Sequence, residues 1–238
     1  WMENQWEVVR PWVGESDNIV FLGGAGVSTE SGIPDFRSTD GLYHQQYDYP
    51  PETILSHSFF LENPREFYRF YRDKMLYLDA QPNAAHRKLA QWESEGKLRA
   101  VITQNIDGLH QKAGSHRVLE LHGSVLRNHC QKCGAFYGVD AILNSQGVPR
   151  CSCGGIIKPD VVLYEEGLDE QVLMEAVSAI RQADVLIIGG TSLTVYPAAG
   201  LIRYYRGNKL AVINKTPLPV SPACLMIEGA IGQVLSEM

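Results

Sequence analysis

Four of the five cysteines lie close together in the sequence, as Cys130-Gln-Lys-Cys133 and Cys151-Ser-Cys153. Two cysteine pairs on tight turns converge on one tetrahedral Zn²⁺, for which thiolate is the preferred structural ligand. Because four sulfurs leave no coordination position for water, we expect a structural zinc ion. The alternatives are buried free thiols or a disulfide. The fifth cysteine, Cys224, is expected to pack as a small hydrophobe.

A polar run begins where a strand-like apolar segment ends, and it carries Gln104, Asn105 and Asp107. Such side chains are costly inside a fold unless each finds a partner, which a ligand can be. His122 follows a second apolar run and precedes a glycine. An ordinary histidine pKa of roughly 6.5 suits a general base near neutral pH. Six other histidines compete for such a role, and His129, beside a cysteine, could instead bind metal.

The glycine-rich loop Gly24-Ala25-Gly26 also follows an apolar segment. Small residues let the backbone approach a pyrophosphate, whose charge then lies against amides at a helix N-terminus. A tight turn without a ligand fits the glycines equally well. The spacing departs from G-x-G-x-x-G, and no acidic residue lies at the end of an obvious second strand about 20 positions on to bind a ribose. Both observations disfavour a hydride-transfer dehydrogenase. Phe36 and Arg37, on a loop stiffened by Pro34, could close over a flat heterocycle near a phosphate, or form a structural turn with a surface arginine.

The elements that must position these residues alternate along the chain. Apolar runs predict strands near 18–22, 99–103, 118–121, 185–188 and 210–213, and amphipathic patterns predict helices near 64–78, 84–95, 170–182 and 197–205. Alternating strands and helices favour an α/β fold with a parallel sheet covered on both faces, and ligands bind at the carboxyl ends of such strands. Residues 35–58 are predicted to form a long loop and residues 124–165 an insertion.

Composition limits the classes of function. The 238 residues are 45% apolar and carry a net charge of -6, which argues against a surface for direct nucleic-acid binding. We find no apolar run long enough to span a bilayer and no signal peptide, so we expect a cytoplasmic protein without a membrane partner. Cysteines this closely spaced do not form a secreted disulfide framework. A compact chain favours a monomer.

Taken together, these motifs resemble the sirtuin family, and in particular its compact bacterial members. The matching stretches occur in family order and cover nearly the whole chain: Gly24-Ala25-Gly26-Val27-Ser28, residues 32–38, Thr103 to His110, Leu121-His122-Gly123, the four cysteines, Gly190-Thr191-Ser192-Leu193 with Val195 and Pro197, and Ile213-Asn214-Lys215. The resemblance implies a Rossmann-like NAD-binding domain, residues 1–34, 79–123 and 166–238. It also implies a small domain inserted into it, a helical insertion plus a zinc ribbon, residues 35–78 and 124–165.

The activity implied by the resemblance is NAD-dependent deacetylation of protein lysines. Its products are nicotinamide, O-acetyl-ADP-ribose and the free lysine, and its cofactors are NAD and one structural Zn²⁺. Acetylated proteins or peptides are the implied partners. His122 is then the general base, assisted by Asn105 in catalysis.

The resemblance also assigns binding roles by position. The phosphates of NAD would be held by Gly24, Ala25, Gly26 and Thr29, and the nicotinamide by Phe36, Arg37, Ile106 and Asp107. The adenosine half would be bound by Thr191, Ser192, Asn214 and Ile231, and the ribose next to the nicotinamide by Gln104, Asn105 and His122. Cys130, Cys133, Cys151 and Cys153 would bind the zinc, and Val162, Tyr164 and Val195 the substrate peptide, by addition of a strand.

Two departures from the family pattern bear on specificity. Members that prefer succinyl or malonyl lysine carry Tyr-x-x-Arg, whereas here Tyr68 is followed by Tyr71 and the arginine comes one place later, about 100° around a helix. We therefore predict deacetylation over desuccinylation. Many members read Phe-Gly-Glu where this chain has Tyr164-Glu165-Glu166, which predicts negative charge beside the peptide and a preference for basic flanking residues. The alternatives are a mono-ADP-ribosyltransferase, a desuccinylase and a non-catalytic module that senses NAD or ADP-ribose.

Overall fold

The computed structural model of the chain describes residues 5–35, 47–194, 198–221 and 223–238. Numbered in chain order, its strands are β1 (Ile19–Gly23), β2 (Leu98–Thr103), β3 (Val118–Glu120), β4 (Gly123–Cys130), β5 (Phe136–Tyr137), β6 (Ile157–Val161), β7 (Val185–Gly189), β8 (Lys209–Asn214) and β9 (Leu225–Glu228). Its α-helices are α1 (Trp6–Glu15), α2 (Pro51–Ile54), α3 (His57–Glu62), α4 (Pro64–Lys74), α5 (Ala84–Ser94), α6 (Leu109–Lys112), α7 (Asp140–Leu143), α8 (Glu170–Gln182) and α9 (Ile231–Ser236).

Six strands form one parallel sheet in the order β3-β2-β1-β7-β8-β9. The strands predicted from apolar runs are β1, β2, β3, β7 and β8, so the predicted α/β fold class is confirmed. The chain runs outward from β1 to β3 and then returns to the other side of β1 as β7. A crevice opens where strand order reverses in this way, and in α/β proteins that crevice is where ligands bind.

The register of the sheet brings its carboxyl ends into one row. Gly23 of β1 lies opposite Thr103 of β2 and Gly189 of β7. Thr103 in turn lies opposite Glu120, and Gly189 lies opposite Ile213. The glycine loop, the polar run and the residues around Thr191 and Asn214 therefore all begin at the same edge of the sheet.

The central strand β1 is apolar at every position because both of its faces are covered. Ile19 and Phe21 pack in one core with α1, α5 and α9. Val20 and Leu22 pack in a second core with α8 and the 3-10 helix Ala198–Tyr204. Because side chains alternate along a strand, this one run of residues supplies both cores.

Helix starts follow their capping residues. The Asp169 side chain accepts a hydrogen bond from the Val172 N–H at the start of α8. Asn83 caps α5 with a capping box in which His86 accepts from the Asn83 N–H. Helix α4 ends four residues earlier than predicted, and the segment predicted as a helix near 197–205 forms the 3-10 helix within the described residues.

A smaller unit, hereafter the small unit, consists of helices α2–α4 and the antiparallel sheet β5-β4-β6. Its core is largely aromatic and includes Phe60, Phe67, Tyr68, Phe70 and Tyr71. The prediction of a loop throughout 35–58 is wrong for the described part, because α2 and the start of α3 lie there. Helices of four to six residues are too short to show a 3.6-residue period.

Within the described ranges, no helix combines the length and apolar character required to cross a bilayer.

Candidate active site

A cavity of about 370 Å³ lies between the carboxyl edge of the large sheet and the small unit. It is lined by ten of the predicted site residues: Ala25, Gln104, Asn105, Ile106, Asp107, His122, Val162, Tyr164, Thr191 and Ser192. Five others lie outside this lining: Gly24, Gly26, Thr29, Asn214 and Ile231. Phe36, Arg37 and Val195 lie outside the described residues.

The glycine loop packs directly against the residue that follows β7. The Gly26 N–H donates to the Gly190 carbonyl at 2.8 Å, and a Cβ on Gly26 would come within 2.7 Å of the Gly190 Cα. Only glycine permits this approach of two backbones. The loop continues as two 3-10 turns, Ala25–Val27 and Thr29–Ser31, where the sequence predicted a helix N-terminus. The Thr29 hydroxyl donates to the Gly26 carbonyl at 3.1 Å and so supports the turn.

Hydrogen bonds connect the ends of β2, β7 and β8. The Asn214 side chain donates to the Thr191 carbonyl at 3.0 Å, and the Thr191 hydroxyl donates to Oε1 of Gln104 at 2.9 Å. Ser192 is exposed at the cavity wall. The side chain of Ile231 is only 3% exposed and belongs to the core beneath the sheet. Of the four residues predicted for the adenosine half, Thr191 and Ser192 line the cavity and Asn214 and Ile231 do not.

His122 is held on both sides by backbone groups. Its Nδ1 lies 3.0 Å from the Gln104 carbonyl oxygen, and because a carbonyl only accepts, Nδ1 carries the proton of the neutral ring. The basic lone pair is therefore on Nε2. The next residue, Gly123, has φ +80°, and a Cβ there would lie 1.8 Å from the Asp160 carbonyl oxygen of β6. The glycine after the histidine is thus required by close strand packing as β4 begins.

Two side chains of the polar run bind back to the glycine loop. Nδ2 of Asn105 donates to the Gly24 carbonyl at 2.9 Å, and the Ser28 hydroxyl donates to Oδ2 of Asp107 at 2.6 Å. Ser28 is buried and lines the cavity, yet sequence reasoning gave it no role. Its position within the glycine-loop motif is the signal that could have identified it.

A second residue missed from sequence is His86, which is fully buried behind Ser28. Its Nδ1 accepts from the Asn83 N–H, so the neutral ring carries its proton on Nε2, 3.4 Å from the Ser28 hydroxyl. Burial lowers the pKa of His86 to about 4 and that of His110 to about 3. The two rings are in edge contact, and neither ring nitrogen of His110 has a hydrogen-bond partner within the described part of the chain.

The opposite wall of the cavity contains the segment predicted to bind the peptide. Tyr164 is 44% exposed. Its backbone N–H donates to the carbonyl of Leu55, which follows α2, and its carbonyl accepts from the N–H of His57, the first residue of α3, both at 2.9 Å. Glu165 lines this wall of the cavity and also binds the small unit. Its carboxylate accepts from the Ser58 N–H at 3.0 Å and from the Ser58 hydroxyl, so its charge is directed at α3.

The remaining lining is mainly apolar, and it contains no lysine or arginine among the described residues. Arg72 is instead bound to the loop after α7, where it donates to the carbonyls of Ile142 and Gly147 and to the Ser145 hydroxyl at 2.7–2.9 Å. Tyr68 is fully buried and donates to the Ile157 carbonyl. Neither side chain is available to a carboxylate in the cavity.

The four clustered cysteines come together as predicted, with all four Sγ atoms within 4.8 Å of one another. Sγ of Cys130 lies 3.4 Å from Sγ of Cys153, and Sγ of Cys133 lies 3.6 Å from Sγ of Cys151. A tetrahedral site with Zn–S bonds of roughly 2.3 Å separates its sulfurs by about 3.8 Å, whereas a disulfide needs about 2.05 Å. All four thiols are free, so the donor set fits Zn²⁺.

Hydrogen bonds favour the thiolate form at Cys130 and Cys151, whereas at Cys133 the bond from the Ala135 N–H is outweighed by bonds with the other cysteines, which raise its pKa to about 11. Donation from the Cys133 N–H lowers the pKa of Cys130, and donation from the Cys153 N–H, with the Tyr137 hydroxyl, lowers the pKa of Cys151 to about 6. The Tyr137 hydroxyl lies 2.9 Å from the Cys151 sulfur, a contact not predicted from sequence.

The zinc site is remote from the cavity. The eight-residue strand β4 begins just after His122 and ends at Cys130, which corresponds to roughly 25 Å of extended chain. A metal with four sulfur ligands at this distance supports structure and does not take part in chemistry at His122.

Comparison with known proteins agrees with this geometry. The Sir2 family model matches residues 24–197. An NAD-dependent protein deacetylase of Clostridium acetobutylicum is 58% identical, covering 95% of this chain and 94% of its own, and one of Clostridium perfringens is 56% identical over 100% and 99%. A solved structure of Sir2 with the inhibitor EX-527, 2'-O-acetyl-ADP-ribose and a deacetylated p53 peptide superposes with a TM-score of 0.84 at 36% identity, covering 97% of this chain and 96% of that one. The chain belongs to the Sir2 family.

Proposed function

We propose that this protein is an NAD-dependent protein-lysine deacetylase that makes nicotinamide, O-acetyl-ADP-ribose and free lysine. The observation that carries the proposal is the cavity itself, which joins His122, the polar run and the glycine loop on one side with the peptide-side segment around Tyr164 on the other. The names of the clostridial relatives and the acetyl-ADP-ribose and peptide in the Sir2 structure support the same reaction.

NAD fits the crevice at β1 and β7. The close-packed backbones of Gly26 and Gly190 leave room for a pyrophosphate, while Thr29, Thr191, Ser192 and Asn214 lie along the path proposed for the phosphates and adenosine. When bound, NAD supplies the ADP-ribosyl group that accepts the acetyl group, with nicotinamide as the leaving group. Ile106 and Asp107 line the cavity where the nicotinamide half is proposed to lie.

His122 is the proposed general base. Its Nε2 lone pair takes a proton from a ribose hydroxyl, while the Nδ1–H bond to the Gln104 carbonyl orients the ring and strengthens as the imidazole becomes charged. Asn105 is the proposed second catalytic residue. Its side-chain amide donates to the Gly24 carbonyl, which leaves its oxygen to orient a ribose or water.

The acyl group is proposed to be acetyl or another small neutral group. A succinyl carboxylate would be desolvated without a cationic partner in the described lining, because Arg72 is bound to three oxygens elsewhere. Val162 and Tyr164, with Val195, are proposed to bind the substrate peptide, which adds as a strand. The Tyr164 N–H and carbonyl are already bonded to Leu55 and His57, so Tyr164 contributes its exposed side chain.

The remaining sequence predictions are retained as part of this proposal. They are the division into a large NAD-binding domain and a small zinc-bearing domain at the bounds given above, a monomeric state, a cytoplasmic location and no direct binding of nucleic acid.

The test is mass spectrometry of an acetyl-lysine peptide incubated with the protein, with and without NAD. We expect NAD-dependent loss of the acetyl group and appearance of O-acetyl-ADP-ribose, both reduced at least about 100-fold in His122→Ala. His116→Ala changes an exposed histidine away from the cavity and should retain full activity.

Other outcomes would identify the alternatives. ADP-ribose attached to a protein without loss of acetyl would indicate a transferase, and NAD binding without turnover would indicate a sensing module. A succinyl peptide consumed faster than the acetyl peptide would contradict the proposed acyl preference.

A further inference from the structure

The peptide-side wall of the cavity ends in a tight turn, residues 163–166, here called the substrate turn. The Glu166 N–H donates to the Leu163 carbonyl at 3.0 Å, so Tyr164 and Glu165 are its two central residues. Glu165 has φ +76°, the left-handed conformation that the second central position of a type II turn requires and that glycine adopts most easily. A glutamate in this conformation is a departure that needs a compensating interaction.

The side chain of Glu165 provides that interaction. Its carboxylate accepts hydrogen bonds from Ser58 at 3.0 Å for the backbone N–H and at 2.6–2.8 Å for the hydroxyl. Short bonds of this kind to an ionised acceptor are stronger than neutral ones. They lower the pKa of Glu165, so the carboxylate is ionised at neutral pH. Glu165 therefore ties the turn to helix α3.

Glu166 fixes the other side of the same turn. Its carboxylate accepts from the Leu163 N–H at 2.8 Å and lies 2.8 Å from Nδ1 of His57, with Nζ of Lys158 at 3.6 Å. The substrate turn is thus held by side chains at both of its glutamates as well as by backbone bonds to α3.

These contacts determine the shape of the cavity wall, because Leu55, Tyr164, Glu165 and Glu166 all line it. We propose that Glu165 is a positioning residue for the substrate peptide: its bonds to Ser58 hold the substrate turn in the conformation that the peptide pairs with. This inference rests on the proposed deacetylase function. A peptide that meets a preformed edge does not have to order that edge on binding, and its affinity rises accordingly.

The test compares Glu165→Ala, Glu165→Gln, Ser58→Ala and the double variant Glu165→Ala/Ser58→Ala with the parent protein. We expect Glu165→Ala and Ser58→Ala each to raise the KM for an acetyl-lysine peptide by roughly 5- to 20-fold, with kcat and the KM for NAD within twofold. The peptide KM of the double variant should rise no further than that of the worse single variant, because both changes remove the same interaction. Glu165→Gln retains an acceptor oxygen, so its peptide KM should lie between those of the parent protein and Glu165→Ala.

Two further variants control for folding. Glu62→Ala changes an exposed glutamate of α3 outside the cavity and should leave peptide KM unchanged. Glu165→Gly removes the tie to Ser58 while relieving the left-handed conformation, so it should remain folded yet show the raised peptide KM.

Binding of a fluorescent acetyl-lysine peptide, followed by anisotropy, gives the same comparison without turnover. If the tie-breaking variants unfold at lower temperature but bind and process the peptide like the parent protein, Glu165 is a structural anchor only and the inference is wrong. Additive losses in the double variant would also overturn it. Failure of the parent protein to deacetylate while still binding the peptide would contradict the proposed function alone.

Discussion

His86 and His110 lie in edge contact behind the cavity, with ring centroids 4.8 Å apart, and both are essentially inaccessible to solvent. His86 is linked to the cavity through Ser28, which in turn donates to Asp107. Burial disfavours a charged imidazole at both positions, and at His86 it outweighs the attraction of the nearby Asp107 carboxylate. The wall behind the nicotinamide half of the proposed site is therefore built for neutral histidines.

This arrangement makes stability depend on pH. The folded-state pKa values of about 4 and about 3 lie below the ordinary 6.5, so the unfolded chain binds more protons between these limits. Stability is then unaffected by these groups above pH 6.5 and falls as the pH drops below it. Each histidine contributes a slope approaching 1.4 kcal/mol per pH unit, by an order-of-magnitude conversion. Urea unfolding between pH 6.5 and pH 5 measures the slope.

The variant His110→Phe removes one of the two titrating rings and should reduce the slope by about 1.4 kcal/mol per pH unit. His116→Gln removes an exposed ring and should leave the slope unchanged. Equal slopes in the parent protein and His110→Phe would show that His110 does not remain neutral on folding.

At the residue scale, sequence reasoning worked where a motif contains its own partners. The four cysteines were predicted as one cluster because paired spacing is sufficient to bring thiols together, and the cluster is present. Roles for Ser28 and His86 and the bonds of Glu165 to Ser58 were not predicted, because the partners of these residues are far away in sequence. The bond between Ser28 and Asp107 spans 79 positions and that between Glu165 and Ser58 spans 107. Only the fold brings such pairs together.

At the level of elements, β4 and β6 pair as antiparallel strands where the chain passes from His122 into the small unit. Gly123 pairs with Val161, and the Val162 N–H donates to the His122 carbonyl at 2.9 Å. The backbone that carries the proposed base is thereby continuous with the strand that leads to the peptide-side wall. A change in this pairing moves both walls of the cavity together.

Gly123→Ala tests this coupling. The added Cβ would lie 1.8 Å from a backbone oxygen at a residue with φ +80°, so β4 and β6 must separate. We expect a loss of roughly 3 kcal/mol or more in the free energy of unfolding and at least about a 100-fold loss of deacetylation. Denaturant titration and the mass-spectrometric assay measure the two effects.

Gly96→Ala is the matched control, because Gly96 also has positive φ but has open space around it. Gly96→Ala should lower the free energy of unfolding by only about 1 to 2 kcal/mol and leave the deacetylation rate unchanged. Similar losses in the two variants would show that the left-handed conformation, and not the strand contact, is what Gly123 provides.

Elements were predictable from sequence when burial on both faces or a long amphipathic period left a clear pattern. Strand β1 and helix α8 are of this kind, and both were predicted close to their observed bounds. Helices α2 and α3 were not, since one or two turns begun by a proline or serine resemble a loop. Strand β9 was also missed, because its apolar run within the strand, Leu225 to Ile227, is only three residues long.

At the scale of the whole molecule, the cores are divided between two bodies of structure. The large sheet has a core on each face, whereas the small unit has one of its own, to which Cys130 and Cys151 contribute. A metal bound by these cysteines therefore joins the small-unit core to its surface turns. Loss of this metal should destabilise the small unit more than the large sheet.

Zinc removal tests this division. Metal analysis should find one zinc ion per chain in the parent protein and in Cys224→Ser, and none in Cys133→Ser. In hydrogen–deuterium exchange, Cys133→Ser should lose protection in β4, β6 and α4 while β1, β2, β7 and β8 remain protected. Deacetylation should fail because the peptide-side wall belongs to the affected body. Uniform loss of protection across both bodies would contradict this account.

The strand order has a further consequence during synthesis of the chain. Strand β1 is central in the finished sheet, yet one of its neighbours, β7, follows it by more than 160 residues and lies beyond the whole zinc-bearing segment. When β1, β2 and β3 have left the ribosome, one side of β1 is still an open edge of unpaired N–H and C=O groups on a strand with apolar side chains, a template for pairing with other chains. Because synthesis proceeds at roughly 5 to 20 residues per second, that edge stays unpaired for several seconds before β7 is made. The glycine loop gains its neighbour Gly190 only then, so the nascent chain passes through an aggregation-prone interval before it can hold its cofactor.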